Sequence, residues 1–212
     1  MKLILLALVL TRLTAQATAA EPKPLFDGKT FDGWDGDTAK TWTIEDGAIV
    51  GGSLDTTVPR NEFLCTKATY GDFELKAKFK LIGDKAKANA GIQFRTKRIP
   101  NHHEVSGYQA DVGQAYWGAL YDESRRNKVL AQPDPKRLTE IVKYDDWNEY
   151  TIRCEGPRIR LWLNGTLTVD FTETDEKIER SGIIGLQIHG GAKARAFYKD
   201  IQIEELKSNQ NP

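Results

Sequence analysis

The chain has 212 residues, with 30 Lys+Arg against 30 Asp+Glu and a formal net charge of zero. That balance argues against nucleic acid or an anionic membrane as partner, because such surfaces usually leave a marked basic excess. Cys65 and Cys154 are the two cysteines and have no metal-type spacing such as Cys-x-x-Cys, which argues against zinc.

Met1-Lys2, the apolar run from Leu3 to Leu10, and Ala17-Thr18-Ala19 follow the basic, apolar and small-residue order of a secretory signal peptide. A spanning helix needs about 20 apolar residues, and Arg12 interrupts this run, so cleavage is expected rather than anchoring. The expected organisation is a signal peptide at residues 1–19, one domain at residues 20–206 and a polar tail at residues 207–212. The mature protein is expected to be exported, in the periplasm, at the cell surface or secreted, with no membrane span left. In an oxidising compartment Cys65 and Cys154 either form one disulfide or remain buried free thiols, and both readings stand.

After Pro24 the pattern is short alternating runs separated by Gly, Asn and Asp, an all-β signature. Asp46-Gly47 and Asn164-Gly165 supply the positive φ angles of type I′ turns, predicting hairpins over residues 42–50 and 158–171. In the second hairpin Ile159, Leu161 and Leu163 are expected to face inward with Leu167, Val169 and Phe171. Between residues 73 and 81, Phe73, Leu75, Ala77, Phe79 and Leu81 share one face, with Glu74 and three lysines on the other. Further strands are expected at residues 91–96, 107–112, 118–122, 148–154, 183–188 and 197–204. Residues 125–146, with Pro133 and Pro135, read as a long excursion rather than a strand. So many strands with turns between them suggest a two-sheet antiparallel β-sandwich of the jelly-roll kind.

Polar groups on the outward faces of such strands carry the functional information. Alternation puts Gln93 with Arg95, Gln109 with Asp111, and Gln187 with His189 on outward faces. Amides, a guanidinium, carboxylates and an imidazole beside Trp117 and Tyr121 are the groups that recognise sugar hydroxyls and cover a sugar's C–H face. Gln93, Arg95, Gln109, Trp117, Tyr121 and Gln187 are therefore the candidate substrate-binding residues. His189, next to the permissive Gly190-Gly191, is a candidate proton-transfer group. Asp111 and Glu123 rank above Asp122 as the catalytic carboxyls. His102 and His103 are weak metal candidates, since neighbours on an extended chain point apart. No cofactor is expected, and a metal is left open because no compact loop of alternating carboxylates supports calcium.

Several short segments also carry a family likeness through their order and spacing. They include Leu25-Phe26-Asp27-Gly28-Lys29-Thr30 with Gly33-Trp34, Tyr70-Gly71-Asp72-Phe73-Glu74-Leu75, Ala90-Gly91-Ile92-Gln93-Phe94-Arg95, Gly118-Ala119-Leu120-Tyr121-Asp122, Trp147-Asn148-Glu149-Tyr150 and Trp162-Leu163-Asn164-Gly165. Across nearly the whole mature chain the sequence resembles the 3-keto-disaccharide hydrolase domain family. The resemblance implies a concanavalin A-like jelly roll and cleavage of glycosides oxidised at C3 of the sugar. The alternative from another class is a non-catalytic carbohydrate-binding module, since fold does not fix function.

Overall fold

The structure is a computed structural model that describes residues 21–207. The leader expected at residues 1–19 lies outside the described residues, as does the expected tail beyond residue 207.

In chain order the strands are β1 (Lys23–Pro24), β2 (Trp34–Asp35), β3 (Trp42–Glu45), β4 (Ala48–Ser53), β5 (Glu62–Thr66), β6 (Phe73–Gly83), β7 (Asn89–Arg98) and β8 (Val105–Gly113). They continue with β9 (Leu120–Glu123), β10 (Lys128–Ala131), helix α1 (Pro135–Ile141), β11 (Asn148–Glu155), β12 (Arg158–Leu163), β13 (Thr166–Thr172), β14 (Ile183–Ile188) and β15 (Ala194–Glu205). The first sheet has eight strands in the order β13-β12-β11-β6-β15-β4-β3, with β1 added on β15; the second has seven in the order β10-β9-β8-β7-β14-β5-β2. Neighbouring strands run antiparallel, as the jelly-roll reading expects.

Strand β6 shows why the sheets pack. Phe73, Leu75, Ala77, Phe79 and Leu81 are buried, while the alternate Glu74, Lys76, Lys78 and Lys80 lie on the water side. Its inner face meets the core set of β7, β8 and β14, including Ile92, Phe94, Ala110 and Leu186. Burying a full-sized apolar side chain is worth about 1.5–3 kcal/mol, so this shared layer is the main attraction between the sheets. Aromatic rings add to this layer: within the first sheet Phe79 stacks on Tyr150 of the neighbouring β11 at 5.0 Å, and Trp117, from the connection between β8 and β9 of the second sheet, lies 6.2 Å from Phe79.

Both expected hairpins form, with positive φ at Asp46, Gly47, Asn164 and Gly165. The inward set of the second needs correction at Leu167, which is 41% exposed. Leu161 pairs with Val169 but Trp162 pairs with Leu167, so Thr168 is an extra residue in β13. That bulge reverses the alternation and turns Leu167 outward. The excursion expected at residues 125–146 contains β10 and the short helix α1, which Asp134 caps by accepting from the Lys136 backbone amide at 2.9 Å.

The cysteines are free and buried. Cys154 belongs to the layer between the sheets, whereas Cys65 packs with Phe63 and Val105 in a separate cluster on the second sheet. Leu64, next to Cys65, belongs to the inter-sheet layer, so pleating sends Cys65 to the sheet's other face. The disulfide reading is thereby corrected, because the thiols lie on opposite sides of a sheet.

Candidate active site

Three of the strands singled out for polar faces, β14, β7 and β8, are consecutive neighbours in the second sheet, and β9 follows β8. In register, Gln187 lies opposite Gly91, Gly91 opposite Asp111, Gln93 opposite Gln109, and Gln109 opposite Tyr121. Their outward side chains enclose a polar pocket of about 180 Å³. Gln109, Asp111, Tyr121, Glu123 and His189 line it together with Asn89, Gln114 and Tyr116.

Asp111 is 4% exposed and accepts from the Asn89 side chain and the Val112 backbone amide, each at 2.9 Å. Burial pushes its carboxyl up to about 7, against the opposing pull of Asn89, Gln109 and the Val112 amide. Glu123 is also raised to about 7, first by burial and then by the negative Glu104 nearby. Two carboxyls of one pocket therefore hold their protons close to neutrality, the state required of a general acid.

His189 contributes the complementary function. Its Nδ1 lies 2.7 Å from the Gly190 carbonyl, which can only accept, so Nδ1 carries the hydrogen. In that tautomer the lone pair is on Nε2, the nitrogen able to accept a proton. The Gly190 amide donates to Asn61 Oδ1 at 3.0 Å, and Asn61 Nδ2 donates to Glu104 Oε1 at 3.1 Å. One loop contact thus links the histidine to the carboxylate that acts on Glu123.

Core tyrosines of the first sheet hold the backbone beneath the pocket. The Tyr150 hydroxyl donates to the Asp111 carbonyl at 2.6 Å and accepts from the Gly118 amide at 3.0 Å. The Tyr198 hydroxyl lies 2.6 Å from the Gln187 carbonyl and 3.2 Å from that of Gly91. The site strands are therefore braced through the core, the arrangement that holds reacting groups in place.

Four expected binding residues have other places. Gln93 and Gln187 are fully buried behind the pocket: Gln93 Nε2 donates to Gln109 Oε1, and Gln187 Nε2 donates to Glu123 Oε2 at 3.3 Å. They orient residues that line the pocket. Arg95 has a φ of 44° at an irregularity between Phe94 and Lys97, which breaks the alternation that put it beside Gln93. Its guanidinium donates to the carbonyls of Gly71 and Gly156 and to Asp72 at 2.7–3.0 Å, a structural clamp to the first sheet. Trp117 is 6% exposed and packs between Phe79 in the core and the exposed Tyr144. Asp122 is fully buried and tied to Arg125 and Arg126.

Asn61, Asn89, Glu104, Gln114 and Tyr116 escaped the sequence reading. Extending the alternation of Gly91 and Gln93 two residues back reaches Asn89; the others sit in connections where period carries no signal. The rings of His102 and His103 stack at 4.4 Å rather than pointing apart. Among the described residues no three His, Cys, Asp or Glu side chains gather to hold a metal.

Over residues 21–204 the sequence matches the family described as the 3-keto-alpha-glucoside-1,2-lyase-like domain. Among solved structures, a candidate glycosyl hydrolase from Parabacteroides distasonis is similar at TM-score 0.65 and 19% identity, covering 88% of this chain and 94% of that one. A carbohydrate-binding module from Bacillus subtilis is similar at TM-score 0.60 and 20% identity, covering 82% and 96%. A Bacillus licheniformis beta-glucanase is similar at TM-score 0.55 and 11% identity, covering 91% and 100%. At these identities the likeness is one of fold. No curated protein matches the sequence.

Proposed function

The chain belongs to the 3-keto-alpha-glucoside-1,2-lyase-like domain family, and on that premise we propose that it cleaves glycosides already oxidised at C3 of the sugar. The observation that carries this reading is the meeting of Asp111 and Glu123, both raised to about 7, with a histidine whose Nδ1 is committed to a carbonyl. A C3 ketone acidifies the hydrogen on C2. His189 Nε2 takes that proton, the electron pair of the C2–H bond becomes an enolate, and Gln109 or the protonated Asp111 donates to the enolate oxygen. The enolate then forms the C1–C2 double bond as the C1–O bond breaks, and Glu123 gives its proton to the departing aglycone oxygen. Addition of water across that double bond completes the cleavage to a free keto-sugar. Direct hydrolysis by the two carboxyls is the competing route; it needs one of them ionised as base or nucleophile, which burial disfavours here. Export, expected from residues 1–19, belongs to the same proposal.

A binding module is the second reading, favoured by Tyr116 and Tyr121, whose edge-to-face rings 6.3 Å apart stand at the pocket. The two readings separate on incubating purified protein with 3-keto-trehalose and a 3-keto-β-glucoside against a boiled control. The enzyme releases aglycone, and His189→Ala and Asp111→Ala each reduce release about 100-fold or more. Saturable binding of ordinary sugars with no loss of keto-sugar gives the binding module instead.

A further inference from the structure

On the outer face of the first sheet, away from the pocket of the second, the alternation of β6 and β15 projects Lys78, Lys80, Phe197 and Lys199 toward water. Trp147, just before β11, folds over them. Lys199 Nζ lies 4.2 Å and Lys80 Nζ 5.1 Å from the Trp147 ring centroid, and Lys80 Nζ is 4.6 Å from that of Phe197. Beside this cluster is a depression of about 410 Å³ lined by Lys78, Lys143, Trp147, Glu149 and Lys199. Its floor is stiff, because Asn148 Oδ1 accepts from the Lys143 amide at 2.9 Å and from Asn164 Nδ2 at 2.8 Å.

Lys78 has a partner in Asp200 at 2.9 Å, but among the described residues Lys80, Lys143 and Lys199 have no ion-pair partner. The repulsion between Lys80 and Lys199 is met in part by the negative faces of the aromatic rings, which hold the two ammonium groups over Trp147 and Phe197. A carboxylate entering the depression supplies a counter-charge to Lys143 and Lys199, and the partly exposed indole offers a surface for the C–H face of a sugar ring.

We propose that this depression binds an acidic oligosaccharide, a chain containing uronate residues. Glu149 in the lining and Asp200 alongside interrupt the positive surface, and the whole chain has zero formal charge. A nucleic acid is held chiefly by a marked basic excess, which a chain of zero formal charge does not offer, whereas an acidic sugar can set a carboxylate against Lys143 or Lys199 while its C–H face covers the Trp147 indole. The site is independent of the proposed chemistry at Asp111, Glu123 and His189.

Calorimetry with trigalacturonate, neutral galactotriose and a short single-stranded oligonucleotide tests the proposal. The full chain is expected to bind trigalacturonate saturably, at least about tenfold more tightly than the neutral trisaccharide, and more weakly as salt rises. Trp147→Ala and Lys199→Gln are each expected to weaken it about five- to tenfold while leaving release from 3-keto-glycosides unchanged. Asp111→Asn should leave trigalacturonate affinity unaltered. No binding, equal affinity for the neutral sugar, tighter binding of the oligonucleotide, or indifference to both substitutions overturns the proposal, whatever the outcome for keto-sugar cleavage.

Discussion

Asp111 and Glu123 hold their protons for partly different reasons. Asp111 is enclosed by protein and kept from rising further by three donors, while Glu123 is half-enclosed and also feels Glu104. Activity that depends on these acids is expected to fall as pH rises through about 7, with Glu123→Gln losing turnover across the whole range. A profile that keeps rising well above that value would contradict the assignment. Stability carries the same signature. The folded protein keeps the Asp111 proton between the ordinary carboxylate value of 3.8 and about 7, whereas the unfolded chain has released it. This contribution to stability is therefore present below the ordinary value and is lost as pH rises through the folded one. Asp111→Asn is expected to raise the melting temperature relative to the native protein above about pH 8, with the difference closing below about pH 4. Thermal denaturation at a series of pH values checks it, and equal pH dependence in both proteins would show Asp111 to be unperturbed.

Among the elements, β7 sets the shape of the pocket floor through a missing side chain. A Cβ at Gly91 would come within 2.5 Å of the Gln109 carboxamide carbon, so the glycine lets Gln109 lie across the strand toward Asp111. Gly91→Ala is expected to lower kcat/KM by about tenfold or more by displacing Gln109 while the protein stays folded; unchanged kinetics would show that Gln109 has no part in the reaction. The alternation of β6 and the two Asx-Gly hairpins were legible in the sequence because period and turn chemistry are local. Arg95 and Leu167 were misplaced for one shared reason. Each lies in or beside a bulge, and an extra residue breaks the alternation across it without leaving a compositional mark. Gln109, Asp111, Tyr121, Glu123 and His189 could be named from their strand faces, but their convergence depends on the adjacency of β14, β7, β8 and β9, which is a property of the sheet. Trp117 illustrates the opposite limit, since an aromatic between glycine and polar residues reads as a sugar platform until the core beneath it is seen.

The whole molecule keeps its functional candidates on opposite outer faces and its cysteines in different packing layers. Burial pushes both thiols up to about 12, so neither is expected to react with a thiol reagent in the native state. Unfolding without reductant should expose both, and the melting temperature should be the same with and without reductant. Recovery of no free thiol after unfolding would mean that the two are joined. Core tyrosines from the first sheet brace the backbone of the catalytic candidate on the second, so the sandwich itself supplies the rigidity that the chemistry requires. The most direct test of that chemistry is the fate of a deuterium placed at C2 of a 3-keto-glycoside. During enzyme-catalysed release in ordinary water, corrected for exchange in a boiled control, the account predicts loss of the label at the rate of aglycone release and a slower reaction than with hydrogen. Release with the label fully retained would contradict proton abstraction from C2 and leave direct hydrolysis by the two carboxyls.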